Sequence, residues 1–304
     1  MQPSIAVQPT HKMMGVTLVL VAAILWGVSG TVAQFMFQVK GFNAGWLVVI
    51  RLLFAGLLML MVTYPKQKHK VWKIWRSKQE RIHLVLFGLL GMLGVQYTYF
   101  AAIEASNAAT ATILQYLGPV VILFYLVIRA RRSPTYKELI VIILALIGTF
   151  LLVTDGTVHS LTLSKGGLFW GLASAIALAF YTLHPASLIK KWGTMVVVGW
   201  GMLIGGIGFS FIFHPWDIQG TWDSSSIFAL LFIIVFGTLI PFYCYLESMN
   251  YISPSETSTL ACAEPLSAAV VSIIWLHVSF GWVQWIGTIF ILATIMLISR
   301  WRNQ

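Results

Sequence analysis

Ten long apolar runs follow one another along the chain, parted by short polar stretches. They lie at 14–37, 44–64, 82–103, 106–129, 138–155, 166–187, 194–213, 226–248, 254–276 and 282–299. About 20 mainly apolar residues suffice for one helix to cross a bilayer core. The pattern therefore predicts an all-α membrane protein with ten transmembrane helices. The least marked joints are at 104–105 and 249–253, where a few polar residues and Pro254 divide long apolar stretches. The first run is too long for the core of a signal peptide, and it reads as a retained span.

The pattern is also duplicated. YTYFAAIEASNAATATILQYLGP (Tyr97–Pro119) aligns without a gap on YCYLESMNYISPSETSTLACAEP (Tyr243–Pro265), at an offset of 146. Gly15–Gly27 matches Gly167–Ala179 at an offset of 152, and Glu138 onward matches Gln284 onward at 146; the second runs match only weakly. An internal repeat of this length sets the fold. Five spans per copy is an odd number, so the second copy must cross the membrane in the opposite sense. This predicts two inverted five-helix repeats, 14–156 and 157–300, between short tails at 1–13 and 301–304. Paired Pro-interrupted spans in inverted halves mark the midplane binding region of secondary transporters.

Composition and charge sharpen this picture. The 304 residues are 59% hydrophobic and only 9% charged, too few charges to cover a water-facing surface. The net charge of +10 would suit nucleic acid, but the basic residues sit in short loops. With the N-terminus inside, 16 of 19 Lys and Arg fall on the cytoplasmic side, Lys40 and Lys165 fall outside, and Arg51 lies within a span. That asymmetry is the positive-inside signature, and it places both termini in the cytoplasm of a plasma-membrane protein. The run Lys66–Arg81 interleaves bases with Trp72, Ile74 and Trp75 and reads as an interfacial segment on anionic lipid. Cys244 and Cys262 show neither metal nor disulfide spacing.

Several segments resemble the EamA-type transporters of the drug/metabolite transporter superfamily. They are AAILWG (Ala22–Gly27), IRLLFAGLLML (Ile50–Leu60), AIEASNAATATILQYLGP (Ala102–Pro119), MNYISPSETSTLACAEP (Met249–Pro265) and QWIGTIFILATIML (Gln284–Leu297). The Gly-Glu step frequent in the loop before the last helix of each repeat is replaced by RARRSP and HVSFGW. The resemblance implies export or exchange of small metabolites, amino acids or toxic compounds. It also implies a cavity lined by helices one to four and six to nine, with helices five and ten peripheral.

The candidate functional residues are the polar and aromatic ones within spans. Arg51 is either an anchor for an anionic substrate group or a structural arginine tied to carbonyls or a glutamate; a charge at that depth needs a partner. Glu264, beside Pro265, is either a coupling carboxylate or a glutamate bonded to a neighbouring helix. It is also a candidate neutralising partner for Arg51. Thr112, Gln115 and Tyr116, just before Pro119, are matched in the second half by Ser258 and Cys262 before Pro265. These read as cavity-lining groups or as interhelical hydrogen bonds. Trp26, with Ser29 one turn on, Tyr97, Tyr181, Trp200 and Tyr243 are candidate cavity aromatics or interfacial belt residues. The halves differ where chemistry matters: Gly118 aligns with Glu264 and Gln115 with Ala261.

The expected function is secondary active transport of a small amino acid-like or related organic solute by alternating access. Substrate, lipids and proton coupling or exchange are the expected partners, without cofactor, metal or nucleic acid. Efflux of cationic compounds is the alternative within transport; a non-transporting scaffold or receptor is the alternative outside it. HExxH, GxSxG and an intramembrane carboxylate dyad are absent, which argues against an enzyme.

Overall fold

A computed structural model of the chain describes residues 9–156, 163–252, 256–257 and 260–301. The described residues form helices and connecting loops, with no strand. The long helices are α1 (Pro9–Gln38), α2 (Ala44–Lys73), α3 (Lys78–Ala105), α4 (Ala108–Arg129), α5 (Tyr136–Thr154), α6 (Lys165–Leu183), α7 (Thr194–Phe209), α8 (Ser224–Ser248), α9 (Ala263–Leu276) and α10 (Trp282–Trp301). A short helix, Ala186–Trp192, precedes α7. Side-chain caps fix several starts. Asn43 accepts from the amides of Gly45 and Trp46, Ser164 accepts from Gly167, and Thr135 with Glu138 forms a capping box on α5.

Seven of these helices, α1 to α6 and α8, contain stretches long and apolar enough to cross a membrane; α7, α9 and α10 give shorter apolar stretches. The seventh run was expected to reach residue 213, but α7 stops at Phe209 and turns. The ninth was expected from 254; residues 256, 257 and 260 are helical, the Ala261 amide bonds the Thr257 carbonyl at 3.0 Å, and α9 resumes at Ala263 after a turn. The interfacial segment after the second run instead extends α2 to Lys73, past Pro65, with a kink at Gln67. The outer faces carry exposed Leu139, Ile143, Leu146 and Phe150 on α5, and Ile274 and Ile289 on α9 and α10. An apolar surface of that extent suits lipid, not water.

Helix packing pairs α2 with α7, α5 with α10, α4 with α9, α3 with α6, α1 with α8, α1 with α9 and α4 with α6. Exchanging α1–α5 for α6–α10 turns this set of pairs into itself. Two local irregularities also recur. A π turn interrupts α3 at Phe87–Met92 and another interrupts α8 at Val235–Leu239. The fourth helix of each set tightens to i→i−3 bonding before its proline: Leu117 N to Leu114 O at 3.1 Å, and Glu264 N to Ala261 O at 2.9 Å.

The loops gather on two faces. On the basic face, Lys12 pairs with Glu256 at 2.7 Å, Lys191 with Glu80 at 2.5 Å, and His184 Nε2 lies 3.1 Å from the His83 carbonyl. On the opposite face, Lys40 pairs with Asp223, the Thr221 amide donates to the Lys40 carbonyl at 2.8 Å, and Trp46 Nε1 donates to the Pro215 carbonyl at 3.1 Å. Gln38 and Ser164 there reach the Ser106 and Ala105 carbonyls.

Candidate functional site

Two prolines in the second half each remove the i+4 donor of a carbonyl, and a side chain from the first half bonds each of those carbonyls. Proline carries no N–H, so the carbonyl four residues earlier loses its bond. Pro241 does this to Gly237, inside the π turn of α8. Arg51, fully enclosed on α2, donates Nη2 to Gly237 O at 2.9 Å and Nε to Thr238 Oγ1 at 2.7 Å. Its guanidinium also lies 4.9 Å from the Phe100 ring centroid. Pro265 removes the i+4 donor of Ala261 in the same way; that carbonyl keeps the Glu264 amide at 2.9 Å and also accepts from the Tyr116 hydroxyl at 2.6 Å.

The same Tyr116 oxygen lies 3.0 Å from Glu264 Oε2. One hydroxyl proton faces two acceptors. With that proton on the Ala261 carbonyl, a protonated Glu264 completes the set by donating to the Tyr116 oxygen, whereas an ionised one shares it. Arg51 and Glu264 form no ion pair in this conformation, so the neutralising pair expected as one possibility is replaced by separate partners. The cluster continues through Tyr99, whose hydroxyl is 2.7 Å from Thr112 Oγ1; Thr112 in turn bonds the Ala108 carbonyl at 2.7 Å. Ser29 Oγ is buried at this depth without a hydrogen-bond partner.

The remaining candidates separate by position. Trp26 stands against Phe242 and Tyr245, at 5.3 and 5.4 Å between centroids, beside the Glu264 end of the cluster. Gln115 is half-buried at the end of the first part of α4, and Pro119 opens the second part. Cys262 is buried among Tyr116, Leu292 and Ile295. Tyr181 stacks on Phe87 beside the π turn of α3. Tyr97 packs with Trp170 and Phe209 towards the Lys40 face. Trp200 is far from the cluster: its Nε1 bonds the Val71 carbonyl at 2.8 Å and its ring packs on Trp72 and Trp75. Tyr243, the counterpart of Tyr97, lines a separate cavity of about 300 Å³ on the basic face. Ser258 lies outside the described residues. Sequence reasoning missed Thr238 and Gly237. The signal available was Pro241, the one proline within the eighth run.

The chain matches the EamA-like transporter family twice, over residues 13–154 and 165–300. The chain belongs to that family. This EamA-like chain is 41% identical over 285 residues, 94% of its length, to the uncharacterized inner membrane transporter YicL of Salmonella typhimurium, covering 95% of that protein. It is 23% identical to the uncharacterized transporter YwfM of Bacillus subtilis, over 92% of each. A solved crystal structure, 15% identical, shares its fold with a TM-score of 0.62, over 97% of this chain and 99% of the other. The EamA-like chain is therefore a multi-pass membrane transporter and not an enzyme.

Proposed function

We propose that the chain is a secondary active transporter that moves a small organic solute by alternating access. Its ten helices span the membrane as two inverted five-helix repeats, with both termini cytoplasmic. The observation that carries this reading is the buried cluster at matched helix breaks, where Arg51 and Tyr116 of one half bond carbonyls whose i+4 donors are removed by Pro241 and Pro265 of the other. Bonds that bridge the halves at mid-depth are the bonds that must break and reform when one half rocks against the other. Glu264 is the coupling carboxylate of this reading. It shares one hydroxyl with a carbonyl, so gaining or losing a proton re-routes the Tyr116 bond.

The basic loops orient the protein, and export or exchange of an amino acid-like solute is the direction supported by the family resemblance. A cationic solute is the second reading. It is favoured by the Trp26, Phe242 and Tyr245 rings beside the Glu264 carboxylate, a setting that suits cation–π contact.

Proteoliposomes preloaded with single amino acids or amines test both readings, by counterflow of the same labelled solute. At least one solute is expected to exchange in the wild type. Glu264→Gln is expected to keep exchange but to lose accumulation driven by a pH gradient. If no solute exchanges in well-inserted protein, transport of small organic solutes is wrong. If Glu264→Gln still accumulates solute with the gradient, Glu264 does not couple protons.

A further inference from the structure

The cavity on the basic face plays no part in the cluster described above. It lies between the end of α2, the start of α7 and the end of α8, with a volume of about 300 Å³, the small end of the range for solute sites. Tyr243, Glu247 and Asn250 present one face of the chain to it, at i, i+4 and i+7. Glu247 is about 13 Å along α8 from Thr238, at 1.5 Å per residue, so the cavity sits between the basic face and Arg51.

Three features give this cavity a chemical preference. First, its described lining includes one carboxylate, Glu247, beside the neutral polar Thr63, Gln67, Thr194 and Asn250. Glu247 makes no ion pair there; the Tyr251 hydroxyl, 3.4 Å from Oε1, is a long contact. Second, Gln67 Oε1 is buried without a hydrogen-bond partner. Gln67 stands at the non-helical kink of α2, φ −136° and ψ 32°, two residues after Pro65. Across from it is Gly193, with φ +85°, where a side chain would be strained; a Cβ there would meet that oxygen at 3.7 Å. The kink thus holds a buried, unpartnered acceptor in the side chain of a residue that lines the cavity. Third, Val62 and Met195 supply apolar wall. A carboxylate and an unsatisfied amide oxygen call for a ligand rich in N–H donors. One carboxylate with amide oxygens falls short of the six to eight oxygens that calcium takes.

We propose that this cavity is a binding station for the protonated amine of a small solute, with the ammonium on Glu247 and Gln67 and its alkyl part against Val62 and Met195. The place of the station along a pathway rests on the transport reading above; its chemistry does not. An alkylammonium ion and the amino group of a zwitterion offer the same chemistry, and the test separates them.

Equilibrium dialysis of labelled n-butylamine against the purified full-length protein is the measurement, with butanoate and 2-aminobutanoate as competitors. Saturable binding is expected, undiminished by butanoate. Displacement by 2-aminobutanoate identifies a zwitterion site, and its failure identifies an alkylammonium site. Glu247→Gln is expected to weaken butylamine about tenfold or more, since it removes a charge-assisted bond. Glu247→Asp should retain part of the affinity, and Gln67→Ala should weaken it about threefold or more, with melting temperatures near wild type. If Glu247→Gln does not fold, the aspartate and alanine variants carry the test. Absence of saturable butylamine binding, equal affinity in the folded variants, or stronger displacement by butanoate would overturn the proposal. Binding that depends on Glu247 without any flux in proteoliposomes sinks the transport reading and leaves the site. Flux indifferent to Glu247 and Gln67 sinks the site and leaves transport.

Discussion

A mid-span arginine is costly in a bilayer, and Arg51 is retained because Pro241 gives it a carbonyl with no other helical donor. The energetic consequence can be measured. Arg51→Ala removes two charge-assisted bonds and leaves Gly237 O and Thr238 Oγ1 short of partners, an expected loss of about 2–4 kcal/mol. Pro241→Ala returns an N–H to the helix and should make Arg51 partly redundant. The double variant is then expected to be at least about 1 kcal/mol more stable than the sum of the single changes predicts. Thermal unfolding of the four proteins checks this, and strict additivity would separate the arginine from the proline. Arg51 was conspicuous in the sequence, as any intramembrane charge is. Its partners were not, because a π turn leaves no residue pattern and Thr238 is an ordinary residue until the arginine reaches it. Tyr116 and Glu264 were both visible within spans of the two halves; what the repeat could not show is that the Tyr116 hydroxyl lies 3.0 Å from the Glu264 carboxyl.

Helices meet most closely here at glycine, and the positions divide into two kinds. A Cβ on Gly27 would lie 2.5 Å from the Glu264 carbonyl and 2.8 Å from the Ala268 amide, so any side chain there pushes α1 away from α9 beside the buried cluster. A Cβ on Gly148 would lie 2.8 Å from the Gly287 carbonyl, and one on Gly287 2.7 Å from the Gly148 carbonyl, in the outer α5–α10 pair. Gly27→Val and Gly148→Val should each cost about 1–3 kcal/mol by overpacking. Only the first should also change solute exchange, since Gly27 meets the Glu264 carbonyl itself whereas Gly148 faces Gly287 and Ile291, neither of which belongs to the cluster. Melting temperature read beside counterflow separates the two; equal loss of exchange in both would place the outer pair in the working mechanism. Gly167 and Gly171, and Gly201 and Gly205, stand four residues apart, the spacing of close-packing steps on a helix. In the fold they face Ser106, Leu114, Phe87 and the Gly88 carbonyl. The partners came from tertiary packing, which helical spacing cannot encode. The end of α7 was misplaced for a related reason. Hydropathy continues past Phe209, whereas the chain turns where backbone bonding changes.

The two faces of the molecule are held by different chemistry, and this sets how each opens. On the basic face the ties are side chains such as Lys191–Glu80 and Lys12–Glu256, with a cavity between α2 and α8. On the opposite face, Lys40–Asp223 joins the α1–α2 and α7–α8 connections above the packed rings of Phe42, Trp46 and Trp222. The Lys40 ammonium, with the Ser226 amide and Ser225 hydroxyl, holds the Asp223 carboxyl well below the usual carboxylate range. A carboxyl with its folded pKa depressed contributes stability that is present above its unfolded pKa and is lost as pH falls through the folded one. Closure of this face should therefore weaken on acidification, and Asp223→Asn should reproduce the weakened state at neutral pH. Hydrogen exchange at Thr221, whose amide bonds the Lys40 carbonyl, reports the closure directly. The ratio of wild-type to Asp223→Asn protection cancels the pH dependence of exchange chemistry. That ratio is expected to exceed one at neutral pH and to fall towards one as Asp223 protonates. A ratio of one throughout would leave the Trp46–Pro215 bond and the aromatic packing to close the face without the ion pair. A ratio that stayed high in acid would place the protection elsewhere than in the Asp223 charge.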